Sequence, residues 1–535
     1  MIGVTPTPIS ALPGKIHVPS IDYLAIMPIL ILLGGALVVL AATSLLRGGL
    51  KRDAATTLTL ATASAALIAS LVGWHRVTTQ GSTTTIAHAI SFDGFSVFGA
   101  VTITSSLILA TLIGHAYLKR EGIASAEYHV LALISAAGAV LMAQANDLIV
   151  IFLALEILSI ALYVLVAFNA KRAESGEAAL KYFILGGFSS AIFVYGIALT
   201  YGATGTTNLT QLAGFLAKNQ PVHAGLLYAG LGLVLVGFAF KIAAVPFHMW
   251  TPDVYQGAPS PVTGFMAAIA KAGGFLALMR VLVAAMGTQA TTWQPILYAL
   301  AIASLLLGAF AGLVQRDLKR VLAYSSINHA GFILLGVEAA TAQGVSASLY
   351  YLFAYSIMTV GTFGVLTLVG GEGDHDHDLA HYRGLARRQP WLGGALVILL
   401  LAQAGIPFTT GFFAKFGVIA ASIEAGSWPL ALIAMISAAV GIAVYLRVVL
   451  LALTPLDARS LDEALPPSGA SASTARADSS LLMEDEVEVI APARIAVPAI
   501  AGVAIAISVT VTVVFGVFPG PLLDFARAAT LGYLP

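Results

Sequence analysis

Uncharged apolar runs of about twenty residues recur along the whole chain, separated by short stretches where charged residues, Pro and Gly collect. A run of about 18 or more such residues can cross the hydrocarbon core of a bilayer as a helix. The pattern predicts an all-α polytopic membrane protein with about fourteen spans. They lie at 21–46, 54–73, 92–118, 127–145, 148–168, 178–202, 224–257, 260–286, 292–314, 321–338, 346–370, 391–425, 427–453 and 495–518. Two of these, 224–257 and 391–425, are longer than the roughly 20 residues one straight crossing needs. Each holds a proline, Pro246 and Pro407, which removes a backbone donor and clashes with the carbonyl four residues back. Both are expected to be broken helices.

Composition agrees. The 535 residues are 59% hydrophobic and 10% charged, with mean hydropathy +0.92, against about 25% charged in a soluble domain. The formal net charge of zero gives no argument for nucleic acid. Cysteine is absent, which excludes disulfides, thiol catalysis, iron–sulfur ligation and cysteine zinc sites in this chain. No P-loop or G-x-S-x-G elbow occurs. The first 20 residues lack a basic stretch before an apolar one and do not read as a cleaved signal. The segment 454–494, rich in Ser, Ala, Pro and acid, is expected to be a flexible, solvated loop.

Basic residues orient the spans. With the N-terminus outside, sixteen of the 26 Lys and Arg fall in inner loops and four (Lys15, Arg76, Lys218, Arg527) in outer segments. Both termini are therefore expected outside, with the chain embedded in a lipid bilayer. The other six, Lys181, Lys241, Lys271, Arg280, Lys415 and Arg447, lie within spans.

An ionisable group at a helix centre costs about 2.5–3.5 kcal/mol on insertion scales, so those retained there mark an ion or proton path. Glu156 sits mid-span with Ser159 and Tyr163 on its face; the plainer alternative is a protonated glutamate bonded to a neighbouring helix. Lys181 has Glu177 four residues before it, so it is either a surface pair or a partner for Glu156. Lys241 precedes Pro246, where freed carbonyls need a hydrated or protein-lined gap. Lys271 lies in a span with Gly264, Gly273 and Gly274, which permit close helix approach. Lys415 follows the second break, beside Gly405, Pro407 and Gly411. Two Pro-interrupted helices in separate halves point to a transporter-type repeat fold with sites at the breaks. His248 and His329 suit proton relay or stand as satisfied core histidines. Arg280 and Arg447, near helix ends, are expected to snorkel. The tract GDHDHDLAHYRG (373–384) invites a metal reading, but it lies in a loop without helical i,i+4 spacing, and no metal site is expected.

Three stretches carry a resemblance: FKIAAVPFHMWTPDVYQGAPSPVTGFMAAIAKAGGF (240–275), QRDLKRVLAYSSINHAGFILLG (315–336) and GLARRQPWLGGALVILLLAQAGIPFTTGFFAKF (384–416). The chain resembles the antiporter-like membrane subunits of bacterial NADH-quinone oxidoreductase (complex I) over nearly its whole length. Lys415, the ILSIALYVLVAF stretch after Glu156 and the lack of a long C-terminal lateral helix separate it from two branches of that family.

The resemblance implies two inverted five-helix repeats, helices 4–8 (127–286) and 9–13 (287–453). Helices 1–3 (1–126) precede them, and the loop 454–494 and a last helix (495–535) follow. It implies proton translocation through Glu156, Lys241, Lys271 and Lys415, with Lys181 carried over less firmly, in a bacterial inner (plasma) membrane. NAD, FMN, iron–sulfur clusters and quinone are then expected in partner subunits, which include other antiporter-like membrane-arm subunits. A subunit of a multisubunit Na+/H+ antiporter is the alternative. A membrane scaffold or quinone-binding anchor is a more distant one.

Overall fold

The apolar runs do form helices. A computed structural model describes residues 20–45, 49–219, 224–375, 377–455 and 495–529. The inner-loop cations Arg47, Arg459, Arg476 and Arg494, the outer Lys15 and the 454–494 loop from residue 456 lie outside the described residues. Helices α1 (Tyr23–Leu45), α2 (Gly49–Gln80), α3 (Gly94–Arg120), α4 (Ala126–Gln144), α5 (Leu148–Val166) and α6 (Ala173–Thr204) run in order. After a short α7 (Leu209–Lys218) come α8 (Ala224–Ile242), α9 (Trp250–Gly257), α10 (Ser260–Met279), α11 (Ala290–Leu313), α12 (Leu318–Glu338) and α13 (Ala342–Val369). The remainder is a single turn α14 (Leu385–Arg388), then α15 (Pro390–Ala404), α16 (Thr410–Glu424), α17 (Trp428–Leu453), α18 (Ala499–Val517) and α19 (Gly520–Ala528).

Twelve helices among the described residues are long and apolar enough to cross a membrane. The fourteen expected spans are these twelve together with α12, whose polar and charged residues lower its hydropathy, and the broken pair α15/α16. Both predicted breaks are present: α8 stops before Pro246 and α9 resumes at Trp250, while α15 and α16 flank Pro407. The sequence pattern did not reveal a hairpin, β1 (Thr83–Thr85) with β2 (Ile90–Phe92), nor the short amphipathic helix α7. The helices nearest the centre are almost wholly enclosed by protein, α10 and α13 above all. By contrast α6 exposes Leu180, Phe183, Ile184 and Phe188.

Polar side chains stitch the loops at each end of the bundle. At one end Asp374, fully buried, accepts from Arg172 (3.2 Å), from the Ser260 backbone (2.9 Å) and hydroxyl (2.7 Å), and from His377 Nε2 (2.9 Å). Lys319 Nζ lies 3.5 Å from the same carboxylate and also donates to the Ala258 carbonyl. One side chain thus joins the loops before α6, α10 and α12 to the 370–382 loop. The residues GDHDHD therefore form an ionic hub through Asp374 and His377; Asp376 lies outside the described residues. At the other end Asp93 caps α3 and takes a two-pronged contact from Arg280 (2.7 and 3.0 Å). Arg280 is 2% exposed. The expected snorkelling is thus corrected: a carboxylate 187 residues away supplies what water would have.

Burial pushes the Asp374 carboxyl up, but Lys319 and the His377 and Ser260 hydrogen bonds outweigh it and hold it well below the ordinary range. A carboxyl depressed on folding adds stability that is complete above its unfolded pKa, about 3.9, and is lost as pH falls toward the folded value. Asp374→Asn strands two buried cations and should cost about 3–5 kcal/mol. Thermal unfolding in detergent should show that gap undiminished from pH 7 to pH 5 and narrowing below about pH 4.

Candidate functional site

Every helix end leaves carbonyls without intrahelical partners, and a break inside the bundle places them far from bulk water. At the first break, Ala244 N–H returns to the Ala239 carbonyl (2.8 Å), and Trp250 Nε1 donates to Phe240 (3.1 Å). Val245 N–H crosses to Ser304 Oγ on α11 (2.9 Å). The Ile242 carbonyl, four residues before Pro246, is taken by Lys271 Nζ of α10 (3.2 Å). Gly274 makes this approach possible, since a Cβ there would meet Ile242 Cγ2 at 3.0 Å. Lys271 also donates to the Ser326 carbonyl (2.7 Å) and sits over the Tyr355 ring.

Lys241, one residue earlier on α8, points the other way. Its Nζ donates to Ser159 Oγ on α5 (2.8 Å) and reaches Tyr182 OH on α6 (3.5 Å). Tyr182 is itself stacked on Trp250. Glu156, one turn before Ser159, accepts a hydrogen bond from Ser190 on α6. Ser190, Ser189, Ser159 and Lys241 line one small cavity, with room for about one water. The serine bonded to Glu156 and the serine bonded to Lys241 thus share this cavity.

The second break repeats the arrangement. Gly405 (φ +91°) ends α15, and the Ala404 carbonyl is taken by Lys415 Nζ of α16 (2.8 Å). Lys415 lies over the Phe332 ring of α12. Between the breaks runs a file of hydroxyls and one imidazole. Tyr255 OH is 3.0 Å from Ser326 Oγ; Ser325 is bonded to Tyr445 OH. Tyr445 OH lies 3.0 Å from His329 Nε2, and Tyr351 OH is 2.6 Å from His329 Nδ1. His329 is 1% exposed. Lys241, Lys271 and Lys415 are 5%, 4% and 6% exposed, so none of them reaches a membrane surface.

Lys181 is not brought to Glu156. It is exposed and pairs with Glu177 (2.7 Å) and Asp253 (2.9 Å), bordering an open pocket of about 320 Å³ that Asp374 and His377 also line. Its plainer reading is the one the geometry fits. His248, in the turn between α8 and α9, is half-buried and bonded to none of the row. Arg447 reaches back to the Leu313 carbonyl (2.7 Å) near the bundle end. Sequence reading missed Ser190, Tyr182, Ser326 and Tyr445, because a hydroxyl costs little in an apolar run and leaves no pattern.

Residues 145–441 match the NADH:quinone oxidoreductase/Mrp antiporter transmembrane family. A curated relative, NADH-quinone oxidoreductase subunit N of Trichlorobacter lovleyi, is 41% identical over 378 residues, covering 70% of this chain and 78% of its own. A chain of respiratory complex I from Thermus thermophilus superposes with TM-score 0.75 at 30% identity, over 94% of this chain and 100% of that one. A chain of the Mrp complex from Dietzia sp. has the same fold, with TM-score 0.78 at 22% identity, over 95% and 96%.

Tyr445→Phe tests the file directly. It keeps the ring but removes the hydroxyl that joins Ser325 to His329, leaving both in a dry interior. Stability in detergent should fall by about 1–3 kcal/mol, whereas a rim change such as Trp428→Phe should leave it within about 0.5 kcal/mol.

Proposed function

This chain belongs to the NADH:quinone oxidoreductase/Mrp antiporter membrane family, and from that premise we propose that it is a proton-translocating membrane subunit of NADH-quinone oxidoreductase. The observation that carries this is the row of ionisable groups within the bundle, half-buried Glu156 and buried Lys241, Lys271, His329 and Lys415, each held by a partner on a neighbouring helix. Lys181 and His248 are left off the path. Relatives at about 40% identity favour this assignment over a subunit of an Mrp-type Na+/H+ antiporter, a reading that the shared family and fold keep as the alternative.

The redox chemistry belongs to partner subunits, which carry NAD, FMN, iron–sulfur clusters and quinone; this chain has no cysteine to ligate a cluster. Quinone reduction there shifts the charge next to Glu156. An ionised Glu156 favours the ammonium of Lys241; when that influence is withdrawn, Lys241 passes a proton through water and hydroxyls toward Lys271, His329 and Lys415. Lifting one proton against 100 mV takes about 2.3 kcal/mol. Making or breaking one charge contact at 4 Å supplies about 4 kcal/mol at an effective dielectric of about 20, enough for the step.

The repeats proposed at 127–286 and 287–453 each contain one of the breaks, with 1–126 and 495–535 flanking them. The proposed orientation, both termini outside in the inner membrane, has support in the collection of Lys171, Arg172, Lys319 and Arg320 at the Asp374 end.

In membrane vesicles, Lys241→Met should leave the complex assembled and NADH oxidation running while proton translocation per NADH falls. The readouts are quenching of a pH-sensitive dye and a native gel stained for NADH dehydrogenase. Translocation equal to wild type would refute the assignment, and migration without dehydrogenase activity would favour the antiporter.

A further inference from the structure

Outside the row, one buried carboxyl stands apart from Asp93, Glu121 and Asp374 in having no cation beside it among the described residues. Glu338 ends α12 at the end of the bundle opposite Asp374 and is 4% exposed. Its Oε1 accepts from Ser427 Oγ (2.9 Å), while Oε2 is buried without a hydrogen-bond partner. No Lys, Arg or His among the described residues comes within ion-pair distance of it. Ser427 follows α16, the helix that carries Lys415, and its carbonyl accepts from Ser422 Oγ two turns beyond that lysine (3.2 Å). Lys415 itself rests on Phe332, six residues before Glu338 on α12. That is about 9 Å of helix rise. The adjoining segments 290–297, 339–344 and 419–431, which include Gln294 and Ser427, carry one other titratable side chain, Glu424, which is exposed.

A structural carboxylate in such a place is normally saturated with donors or paired, as Asp374 and Asp93 are here. Glu338 is neither: it has one donor, Ser427, and one buried oxygen with none. Resting on the proton-translocation reading above, we propose that Glu338 is the release group of this chain, taking the proton from Lys415 and delivering it at the face opposite Asp374. The Lys415 ammonium gives up one proton through water to the Glu338 carboxylate. This leaves a neutral amine and a carboxylic acid, and the acid then returns the proton to bulk water. Gln294, whose side chain donates to the Glu338 backbone carbonyl (2.8 Å), and Ser427 hold the group in place.

The test uses the assembled complex in inverted membrane vesicles with Glu338→Gln, Glu338→Asp, Ser427→Ala and Lys415→Met side by side. Glutamine keeps the size and the Ser427 contact but cannot carry the proton. Proton translocation per NADH should fall to the level of Lys415→Met, with NADH oxidation retained under uncoupler, and aspartate should restore part of it. Ser427→Ala keeps the carrier and loses its one donor, so translocation should slow by about two- to tenfold, the worth of one hydrogen bond. If Glu338→Gln pumps as wild type while Lys415→Met does not, the release role is overturned and the path reading stands. If Lys415→Met also pumps as wild type, the path reading itself fails. Should Glu338→Gln not assemble, wild-type pumping by Ser427→Ala overturns the proposal.

Discussion

The structure depends on one contact made twice: a lysine ammonium donating to a carbonyl orphaned at a helix break. Neither partner is tolerable alone. A lysine at membrane depth costs several kcal/mol, and irregular backbone there survives only where protein or a cavity satisfies it. Lys271 on Ile242 and Lys415 on Ala404 offset both costs at once. Both carbonyls belong to the C-terminal end of a half-helix, where the aligned peptide dipoles already favour a cation. The bundle can therefore keep a titratable amine in its middle without a fixed counter-charge.

The proposed function makes use of that lack of a permanent counter-ion at Lys271 and Lys415. Where Asp93 holds Arg280 by a two-pronged contact and Asp374 holds Arg172 and Lys319, the row lysines rest on neutral oxygens and aromatic faces. Loss of a proton costs Lys271 and Lys415 no ion pair, which suits the proposed passage of a proton along the row. Each break also holds a non-glycine residue in the left-handed region, Ala243 at φ +61° and Phe408 at φ +67°. Such positions store about 1–3 kcal/mol, which gives the breaks a reason to rearrange when the lysine bonded to them changes charge. The ends of the bundle are tied by Asp374 and by the Arg280–Asp93 pair.

Much of this is legible in the sequence. Apolar run length gave the spans, Pro246 and Pro407 gave the breaks, and the scarcity of charge made Glu156, Lys241, Lys271 and Lys415 stand out. Pairing was harder to read. Lys181 has an acid at i−4 and another, Asp253, 72 residues on, and only the fold shows which carboxylates it meets. Arg280 sat near a helix end like a snorkelling residue, and its partner Asp93 lay in a different helix cap. The hydroxyls that fill the file, Tyr445 above all, are buried among apolar neighbours with no periodic signal. Glu338 was hidden differently: at the end of a span a glutamate reads as an interfacial residue, and only its burial sets it apart.

The central claim is that the row is a single path in series. The most direct measurement compares proton translocation per NADH in vesicles carrying Lys241→Met, Lys415→Met and the double variant. Members of one series path are redundant once either is lost, so the double variant should pump as each single one does. Losses that accumulate in the double variant would mean two independent routes and would contradict the account.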